Sequence, residues 1–210
     1  MDLYYEKEPI EVGVDEVGRG CLFGRVYAAA VIWPKENNPN IEHPIMKDSK
    51  KYSKKKLIEM EKYVKENCLA YSIGYIEHDI IDEINILKAT YKAMHSALNN
   101  LDYKFDKIIV DGNRFDPYMD QNCDIVPHSC IIEGDTKYYP IAAASILAKC
   151  ARDKYVKDLC LEYPEFDTRY KLSSNVGYGS KHHLDGIKEH GITKFHRKTF
   201  GICKNSPVTL

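Results

Sequence analysis

The sequence predicts an α/β fold built on a mixed β-sheet. Two short apolar segments, residues 12–15 and 26–33, are separated by a glycine-rich turn and predict an antiparallel hairpin. Later apolar segments alternate with stretches of helical periodicity, as in folds where helices connect the strands of a sheet. The chain has 210 residues, 44% of them hydrophobic, so it is long enough to bury one sizeable core.

Five strands are predicted in chain order. The first is followed by Gly18-Arg19-Gly20, and the second ends at Pro34, because proline cannot donate a hydrogen bond to a strand ladder. The other three are predicted at residues 69–76, 107–111 and 124–133.

Four helices are predicted from caps, composition and periodicity. Apolar side chains between Ile84 and Leu98 recur every three or four residues, which is typical of a helix packed on a sheet. Residues 141–159 are rich in alanine, the strongest helix former. Helices at residues 53–66 and 180–190 each begin with a serine suited to capping the first amides.

Charge and cysteine content narrow the class of protein. Lysine and arginine (30) nearly balance aspartate and glutamate (31), so only the distribution of charge bears on binding partners. The seven cysteines form no CxxC pair, which favours reduced thiols over a disulfide framework. The sequence shows neither a signal-peptide pattern nor an apolar run long enough to span a bilayer. We therefore expect a cytoplasmic, monomeric protein with no membrane partner.

Acidic residues stand where predicted strands end or a helix begins. Asp15 and Glu16 precede the glycine motif, Asp111 ends an apolar strand, and Asp135 precedes the alanine-rich helix. Taken singly, they also fit a solvated acidic turn, an Asp-Gly turn and a charge at a helix N-terminus. Together they supply hard oxygen ligands from separate elements, a set that suits Mg²⁺ or Mn²⁺ better than zinc.

Positive charge is concentrated in two stretches. Residues 47–62 carry seven lysines against three acids, and residues 169–204 carry eight lysines and arginines against two acids. Each stretch is also compatible with a solvated face, but two on a near-neutral protein favour a polyanion bound by its phosphates. Carboxylates beside basic stretches are what metal-dependent phosphodiester hydrolysis requires. The HExxH, GxSxG and GxxxxGK[ST] motifs of other catalytic classes are absent from the sequence.

Residues 13–20 (GVDEVGRG) resemble the GxDExGRG signature of ribonuclease HII. The resemblance continues in order along nearly the whole chain. Further matches are Asp48-Ser49-Lys50, residues 81–86 (IDEINI), Val110-Asp111-Gly112, Gly134-Asp135, residues 142–149 (AAASILAK), Arg152-Asp153, Gly177-Tyr178 and His196-Arg197. One departure is Arg25, at a position where the family usually has proline, which bears on the shape of the loop after the signature.

The resemblance implies a ribonuclease H-like fold, in which a five-stranded mixed sheet is flanked by helices. Residues 1–165 would form the catalytic domain, and residues 166–210 a helical C-terminal appendage that binds substrate. The four acids of the family map onto Asp15, Glu16, Asp111 and Asp135, which would be the catalytic residues and the ligands of two divalent ions, Mg²⁺ or Mn²⁺. The substrate-binding residues implied by the same matches are Gly18, Arg19, Gly20, Ser49, Lys50 and Tyr178.

The implied activity is endonucleolytic hydrolysis of the RNA strand of RNA–DNA hybrids, with incision at single ribonucleotides embedded in duplex DNA. The glycine motif would contact the 2′-hydroxyl through its backbone, and Tyr178 would sense the RNA–DNA junction. Products would carry 5′-phosphate and 3′-hydroxyl ends. Two alternatives stay open: a non-catalytic hybrid-binding protein of the same fold, and a related nuclease acting on DNA junctions.

Overall fold

The computed structural model describes residues 1–36, 44, 46, 49 and 52–210. A single five-stranded sheet lies at its centre, with helices packed on both faces. The strands are β1 (Glu11–Val17), β2 (Val26–Ile32), β3 (Ala70–Ile76), β4 (Lys107–Asp111) and β5 (His128–Ile131). The helices are α1 (Lys54–Asn67), α2 (His78–Ile84), α3 (Ile86–Asn99), α4 (Gly134–Lys137), α5 (Tyr139–Glu162), α6 (Glu165–Tyr170), α7 (Leu172–Asn175) and α8 (Lys181–His190), and a 3₁₀ turn follows at Gly201–Asn205.

The strand order is β3-β2-β1-β4-β5. β1 pairs antiparallel with β2, and β2 antiparallel with β3, whereas β4 runs parallel to both β1 and β5. The predicted hairpin, mixed sheet and five strands are therefore confirmed. Because Val14 lies opposite Val110 in the parallel pair, the residues that follow them, Asp15 and Asp111, lie at the same edge of the sheet.

Small residues allow the helices to approach the sheet closely. A Cβ added at Gly13 of β1 would lie 2.3 Å from the carbonyl carbon of Pro140, at the start of α5. A Cβ added at Gly74 of β3 would lie 2.3 Å from the carbonyl oxygen of Ala93, in α3. Alternate residues of each strand point to opposite faces, so β2 contributes Ala28 to the α3 side and other residues to the α5 side.

Two predicted elements differ from the structure. The helix predicted at residues 84–98 is divided at Asn85, whose positive φ of 70° ends α2 and whose side chain caps α3 by accepting from the amides of Leu87 and Lys88. The strand predicted at residues 124–133 is shorter at both ends: Ile125 bridges Met119 outside the sheet and Pro127 precedes β5, while Glu133 takes a left-handed conformation that begins α4. The predicted caps at Ser53 and Ser180 are confirmed.

The C-terminal helices pack on the end of α5 and on the loop after β1. Phe23, from that loop, belongs to one buried cluster with Val156 of α5 and with Phe166, Tyr170 and other C-terminal residues. The C-terminal segment is therefore helical, as predicted, and is anchored directly beside the glycine motif. Within the described ranges, no helix has both the length and the apolar character needed to cross a membrane.

Candidate active site

Asp15 is the most buried of the four predicted acids, with only 6% of its surface exposed. Its Oδ1 accepts a hydrogen bond from the amide of Glu16 at 2.7 Å, and its carboxylate also accepts one from the hydroxyl of Ser145. Burial raises the pKa of Asp15 well above its usual range, and the nearby charges of Glu16 and Asp111 raise it further. Ionisation of the Asp15 carboxylate in the folded protein is therefore energetically unfavourable.

Glu16 lies next to Asp15 and shares its electrostatic environment. Burial raises the pKa of Glu16, the Arg19 guanidinium 3.3 Å from its Oε1 opposes that rise, and Asp111 adds to it. We expected the regular strand to stop at Glu16, which would let Asp15 and Glu16 converge, but β1 stays paired with β2 as far as Val17. Asp15 and Glu16 are therefore successive residues of a regular strand and project from opposite faces of the sheet. Asp111 contributes to the raised pKa of both Asp15 and Glu16, which indicates that the three carboxylates lie within electrostatic range of one another.

The fourth acid is connected to the same edge through Asp111. The amide of Gly134 donates to Oδ1 of Asp111 at 2.7 Å, and Asp135 is the next residue along α4. A Cβ added at Gly134 would lie 3.4 Å from that oxygen and 2.7 Å from Ile141 Cδ1, so a larger residue here would require the Ile141 side chain to shift. All four predicted acids are thus supplied to one edge of the sheet by β1, β4 and α4.

The donor set fits a divalent cation. Oxygen ligands from carboxylates suit Mg²⁺ and Mn²⁺, and a cation would offset the repulsion that raises the pKa values of Asp15 and Glu16. In the part of the chain that the structure describes, no three or more His, Cys, Asp or Glu side chains form a ready-made metal cluster. Binding would therefore require carboxylate side chains to rotate toward the ion.

A cleft of about 320 Å³ opens beside Glu16 and Asp111. Residues that the sequence reasoning did not place there also line it, namely Leu87, Thr90, Tyr91, Met94, Gly112, Asn113 and Arg114. Leu87 and Tyr91 belong to the apolar stripe that predicted a helix, and Asn113 and Arg114 directly follow the predicted Asp111-Gly112 turn. The signal that could have identified Arg114 is its position three residues after Asp111, the predicted acid that ends β4.

The glycine motif forms the loop between β1 and β2. Gly18 has a positive φ of 92°, and a Cβ added there would lie 2.3 Å from Nε of Arg152. Gly20, in contrast, is exposed and would place a Cβ within 4 Å of nothing. The Arg19 side chain is exposed and paired with Glu16. Gly18 thus sets the shape of the loop, while Gly20 offers an open stretch of backbone.

Two fully buried arginines hold this loop in place. The charge pattern grouped Arg197 with a basic surface, but its guanidinium is enclosed and donates to main-chain oxygens at 2.9–3.0 Å. Arg152 donates in the same way at 2.6 and 3.2 Å. The acceptors are the carbonyls of Arg19, Gly24 and Arg25 for Arg197, and those of Phe23 and Val176 for Arg152.

Tyr178 lies against the glycine loop. Its ring is 5.7 Å from the guanidinium carbon of Arg152, and its hydroxyl is hydrogen-bonded to the Cys21 thiol. Burial raises the pKa of Tyr178 to about 12, although 36% of its surface remains exposed. The structure therefore brings together two features that are far apart in the sequence, the glycine motif and Tyr178.

The remaining predicted substrate contacts have different outcomes. Ser49 is buried, and its hydroxyl lies 3.0 Å from that of Ser145. Ser145 in turn interacts with Asp15, so Ser49 is connected to the Asp15 carboxylate through Ser145. Its contact with nucleic acid stays a prediction. Lys50 lies outside the described residues.

Arg25, the departure from the expected proline, is locally anchored. Its guanidinium carbon lies 4.2 Å from the ring centroid of Tyr75 and 4.5 Å from that of Tyr155, and Nη2 lies 2.6 Å from a carboxylate oxygen of Glu77. These contacts attach the start of β2 to β3 and α5. The loop therefore has a defined local support without a proline.

Comparison with known proteins agrees with this arrangement. The family model for ribonuclease HII matches residues 12–203. Ribonuclease HII of Parabacteroides distasonis is 45% identical over 197 residues, which cover 94% of this chain and 92% of that protein. The crystal structure of ribonuclease H2 from Pyrococcus horikoshii OT3 matches with a TM-score of 0.70 and 25% identity, covering 92% of this chain and 95% of the other.

A structure of Bst ribonuclease HIII in complex with Mn²⁺ shares the fold at 14% identity, with a TM-score of 0.58 over 85% of this chain and 69% of that one. The structural relatives thus agree on the ribonuclease H-like architecture, and the sequence relatives agree on the family over nearly the full length of the chain. The chain belongs to the ribonuclease HII family of metal-dependent endoribonucleases, which act on RNA–DNA hybrids.

Proposed function

We propose that this chain hydrolyses the RNA strand of RNA–DNA hybrids and also incises duplex DNA at single embedded ribonucleotides. The observation that carries the proposal is the adjacency of two sites. Asp15, Glu16 and Asp111 influence one another at the edge of the sheet, and the loop that follows Glu16 contacts Tyr178. A site for phosphate chemistry therefore adjoins a surface able to recognise a ribose, in a protein proposed to act as a cytoplasmic monomer.

Asp15, Glu16, Asp111 and Asp135 are proposed to hold two divalent ions, Mg²⁺ or Mn²⁺. The donor chemistry supports this, as does the Mn²⁺ complex of the structural relative. When bound, such ions supply the Lewis acidity that activates a water molecule and stabilises the departing 3′-oxygen. Hydrolysis would leave 5′-phosphate and 3′-hydroxyl ends.

The residues of the chain position the reactants. The Glu16 amide and the Ser49–Ser145 hydroxyl pair orient the carboxylate of Asp15. Arg19 and Arg114 line the cleft and can bind the phosphates on either side of the scissile bond. These contacts fix the substrate backbone, but they carry no preference between RNA and DNA.

Selection of RNA requires recognition of the 2′-hydroxyl, which distinguishes the two sugars. The backbone of residues 18–20 is proposed to make this contact, because Gly20 is exposed with open space around it. The partly exposed ring of Tyr178, beside that backbone, is proposed to lie at the junction between the ribonucleotide and the following DNA.

Cleavage mapping tests the proposed activity. End-labelled duplexes carrying one ribonucleotide, a full hybrid strand or DNA alone would be incubated with Mg²⁺, Mn²⁺ or EDTA. We expect incision of the first two substrates with either ion, no incision in EDTA, and an intact DNA duplex. Binding without cleavage in both ions would identify a hybrid-binding protein. Cleavage of an all-DNA duplex or junction would identify a DNA nuclease of this fold.

The proposed role of Tyr178 has its own test. Tyr178→Ala removes the exposed ring, so cleavage at a single ribonucleotide should fall about tenfold or more relative to cleavage of a long hybrid, which offers many alternative registers. Tyr178→Phe keeps the ring and loses only the hydroxyl contact with Cys21, and should retain most of the ratio. Equal losses by Tyr178→Ala on both substrates would contradict junction sensing.

A further inference from the structure

Two histidines outside the carboxylate site form a buried pair. His183 lies in α8 and His196 follows it in the C-terminal segment, and neither has any exposed surface. Their Nε2 atoms are 3.0 Å apart, within hydrogen-bonding distance. Because both rings are enclosed, neither can touch a nucleic acid or a metal-bound substrate directly.

The pair lies in the middle of a continuous series of hydrogen bonds that runs from Thr193 to Tyr178. At one end the backbone amide of Thr193 donates to Nδ1 of His196 at 3.0 Å. At the other end Nδ1 of His183 lies 2.9 Å from the carbonyl oxygen of Tyr178. A backbone amide can only donate and a carbonyl can only accept, so the proton positions follow: His196 carries its proton on Nε2, and His183 carries its proton on Nδ1.

This assignment requires both rings to be neutral. A second proton on His183 would place two N–H groups against each other across the 3.0 Å contact and break it. Burial lowers the pKa of His196 to about 3, and burial also lowers the pKa of His183. The ring of Tyr170, 5.1 Å from that of His196, contributes to this enclosure. The series of hydrogen bonds therefore keeps the same donors and acceptors at neutral pH.

The last hydrogen bond of the series is accepted by the main-chain carbonyl of Tyr178. The carbonyl oxygen of Tyr178 accepts from His183 and also from the amide of Ser180 at 2.7 Å, while the amide of Tyr178 donates to the carbonyl of Asn175. The peptide group after Tyr178 is thus fixed from two sides. The preceding Gly177 has a positive φ of 83°, so the backbone turns sharply just before the ring.

We propose that His183 is a positioning residue for recognition of a ribonucleotide junction, and that His196 fixes the tautomer in which His183 donates to Tyr178. The series of hydrogen bonds through the two rings connects Thr193 to the main-chain carbonyl of Tyr178. It fixes the angle at which the Tyr178 ring reaches the glycine loop. The inference rests on the proposed role of Tyr178. It adds that this specificity depends on the hydrogen bond from His183, a residue that never contacts the substrate.

Two amide substitutions of one residue separate the two hydrogen bonds. The amide nitrogen of Asn occupies the place of imidazole Nδ1, so His183→Asn keeps the donor to Tyr178 and loses the contact with His196. His183→Gln reaches the place of Nε2, so it keeps the contact with His196 and loses the donor to Tyr178. Each variant loses the imidazole ring and one hydrogen bond. We therefore expect the two variants to have similar thermal midpoints.

The readout is the ratio of kcat/KM for a single embedded ribonucleotide to kcat/KM for a long hybrid. His183→Gln should lower this ratio about tenfold, the effect of losing one well-placed hydrogen bond, while His183→Asn should stay within about twofold of the unaltered protein. His182→Asn and His182→Gln are matched controls, since His182 is the exposed neighbour in α8, and should leave the ratio unchanged.

The outcomes distinguish this inference from the proposed function. If Tyr178→Ala lowers the ratio but the two His183 variants give equal ratios, the positioning role is overturned and the role of Tyr178 stands. If Tyr178→Ala has no effect on the ratio, the role of Tyr178 itself fails. If the variants do not fold, imidazole ¹⁵N NMR of the unaltered protein tests the proposal instead. We expect two neutral rings of opposite tautomer, and an Nε2-protonated or charged His183 at neutral pH would overturn the proposal.

Discussion

At the scale of the residue, the Asp15 carboxylate is placed to bind a cation and therefore lowers the stability of the metal-free protein. The carboxylate is buried and lies near Glu16 and Asp111, so its pKa is raised. A raised pKa means that the folded state holds a proton more tightly than the unfolded state. The stabilising contribution is therefore present below the ordinary pKa, near 3.8, and is lost as the pH rises through the raised value.

This sign leads to a prediction for Asp15→Asn. Replacing the carboxylate by a neutral amide of similar size should raise the melting temperature of the metal-free protein at pH 7, and the difference should shrink toward pH 4. Cleavage should fall by about a thousandfold or more, because a proposed central ligand is removed. Thermal melts in EDTA and single-turnover cleavage provide the measurements.

Asp102→Asn is the matched control, because Asp102 is exposed and remote from the four acids. It should change neither the melting temperature nor the cleavage rate. A purified Asp15→Asn protein that melts below the unaltered protein in EDTA, or that cleaves at a comparable rate, would contradict the assignment of Asp15.

At the scale of the element, the loop between β1 and β2 depends on residues distant in sequence. Arg197, more than 170 residues away, donates to the carbonyls of Arg19, Gly24 and Arg25 at 2.9–3.0 Å. Arg152 lies directly beneath Gly18. The loop therefore has its shape because glycine allows a positive φ and because buried guanidinium groups satisfy its carbonyls.

Gly18→Ala and Gly20→Ala should separate the shape of the loop from its contact with substrate. Alanine at Gly18 meets both an unfavourable φ and Arg152, and should cost about 2–4 kcal/mol of unfolding free energy. Alanine at Gly20 meets nothing within 4 Å, and should change stability by less than about 0.5 kcal/mol. If the Gly20 backbone contacts the 2′-hydroxyl, cleavage should nevertheless fall in Gly20→Ala. Denaturant midpoints and cleavage rates test both, and equal midpoints for the two variants would refute this account.

At the scale of the whole molecule, the C-terminal segment and the sheet share one interior. Phe23 packs with residues of α5 and of the C-terminal helices, and α5 itself also packs against β1 and β2. The division into a catalytic part, residues 1–165, and a substrate-binding part, residues 166–210, stays a prediction about function. The packing indicates that the two parts do not fold separately.

Calorimetry should therefore show one cooperative unfolding transition, with calorimetric and van't Hoff enthalpies that agree. Phe23→Ala removes a fully buried ring from the shared cluster and should lower that single transition as a whole, by about 3–5 kcal/mol in unfolding free energy. Two resolved transitions, only one of which shifts in Phe23→Ala, would show instead that the parts unfold independently.

The sequence by itself determined the hairpin, four of the eight helices that the structure describes (α1, α3, α5 and α8), the serine caps and the family. These features depend on residues within a few positions of one another: the periodicity of an apolar stripe, a serine before a helix, a glycine pair after a strand. The same local character explains the missed break at Asn85, because the apolar stripe continues across it and only the backbone conformation reveals the cap.

Tertiary structure alone decided which polar groups meet. Arg197 reads as one more positive charge in a basic stretch, yet it is buried, and Ser49 reads as a surface contact, yet it supports Asp15 through Ser145. The pairing of His183 with His196 is equally invisible in the sequence. The physical reason is that burial and hydrogen-bond partnership are set by chain segments that only folding brings together, whereas the preference for helix or strand is expressed within each segment.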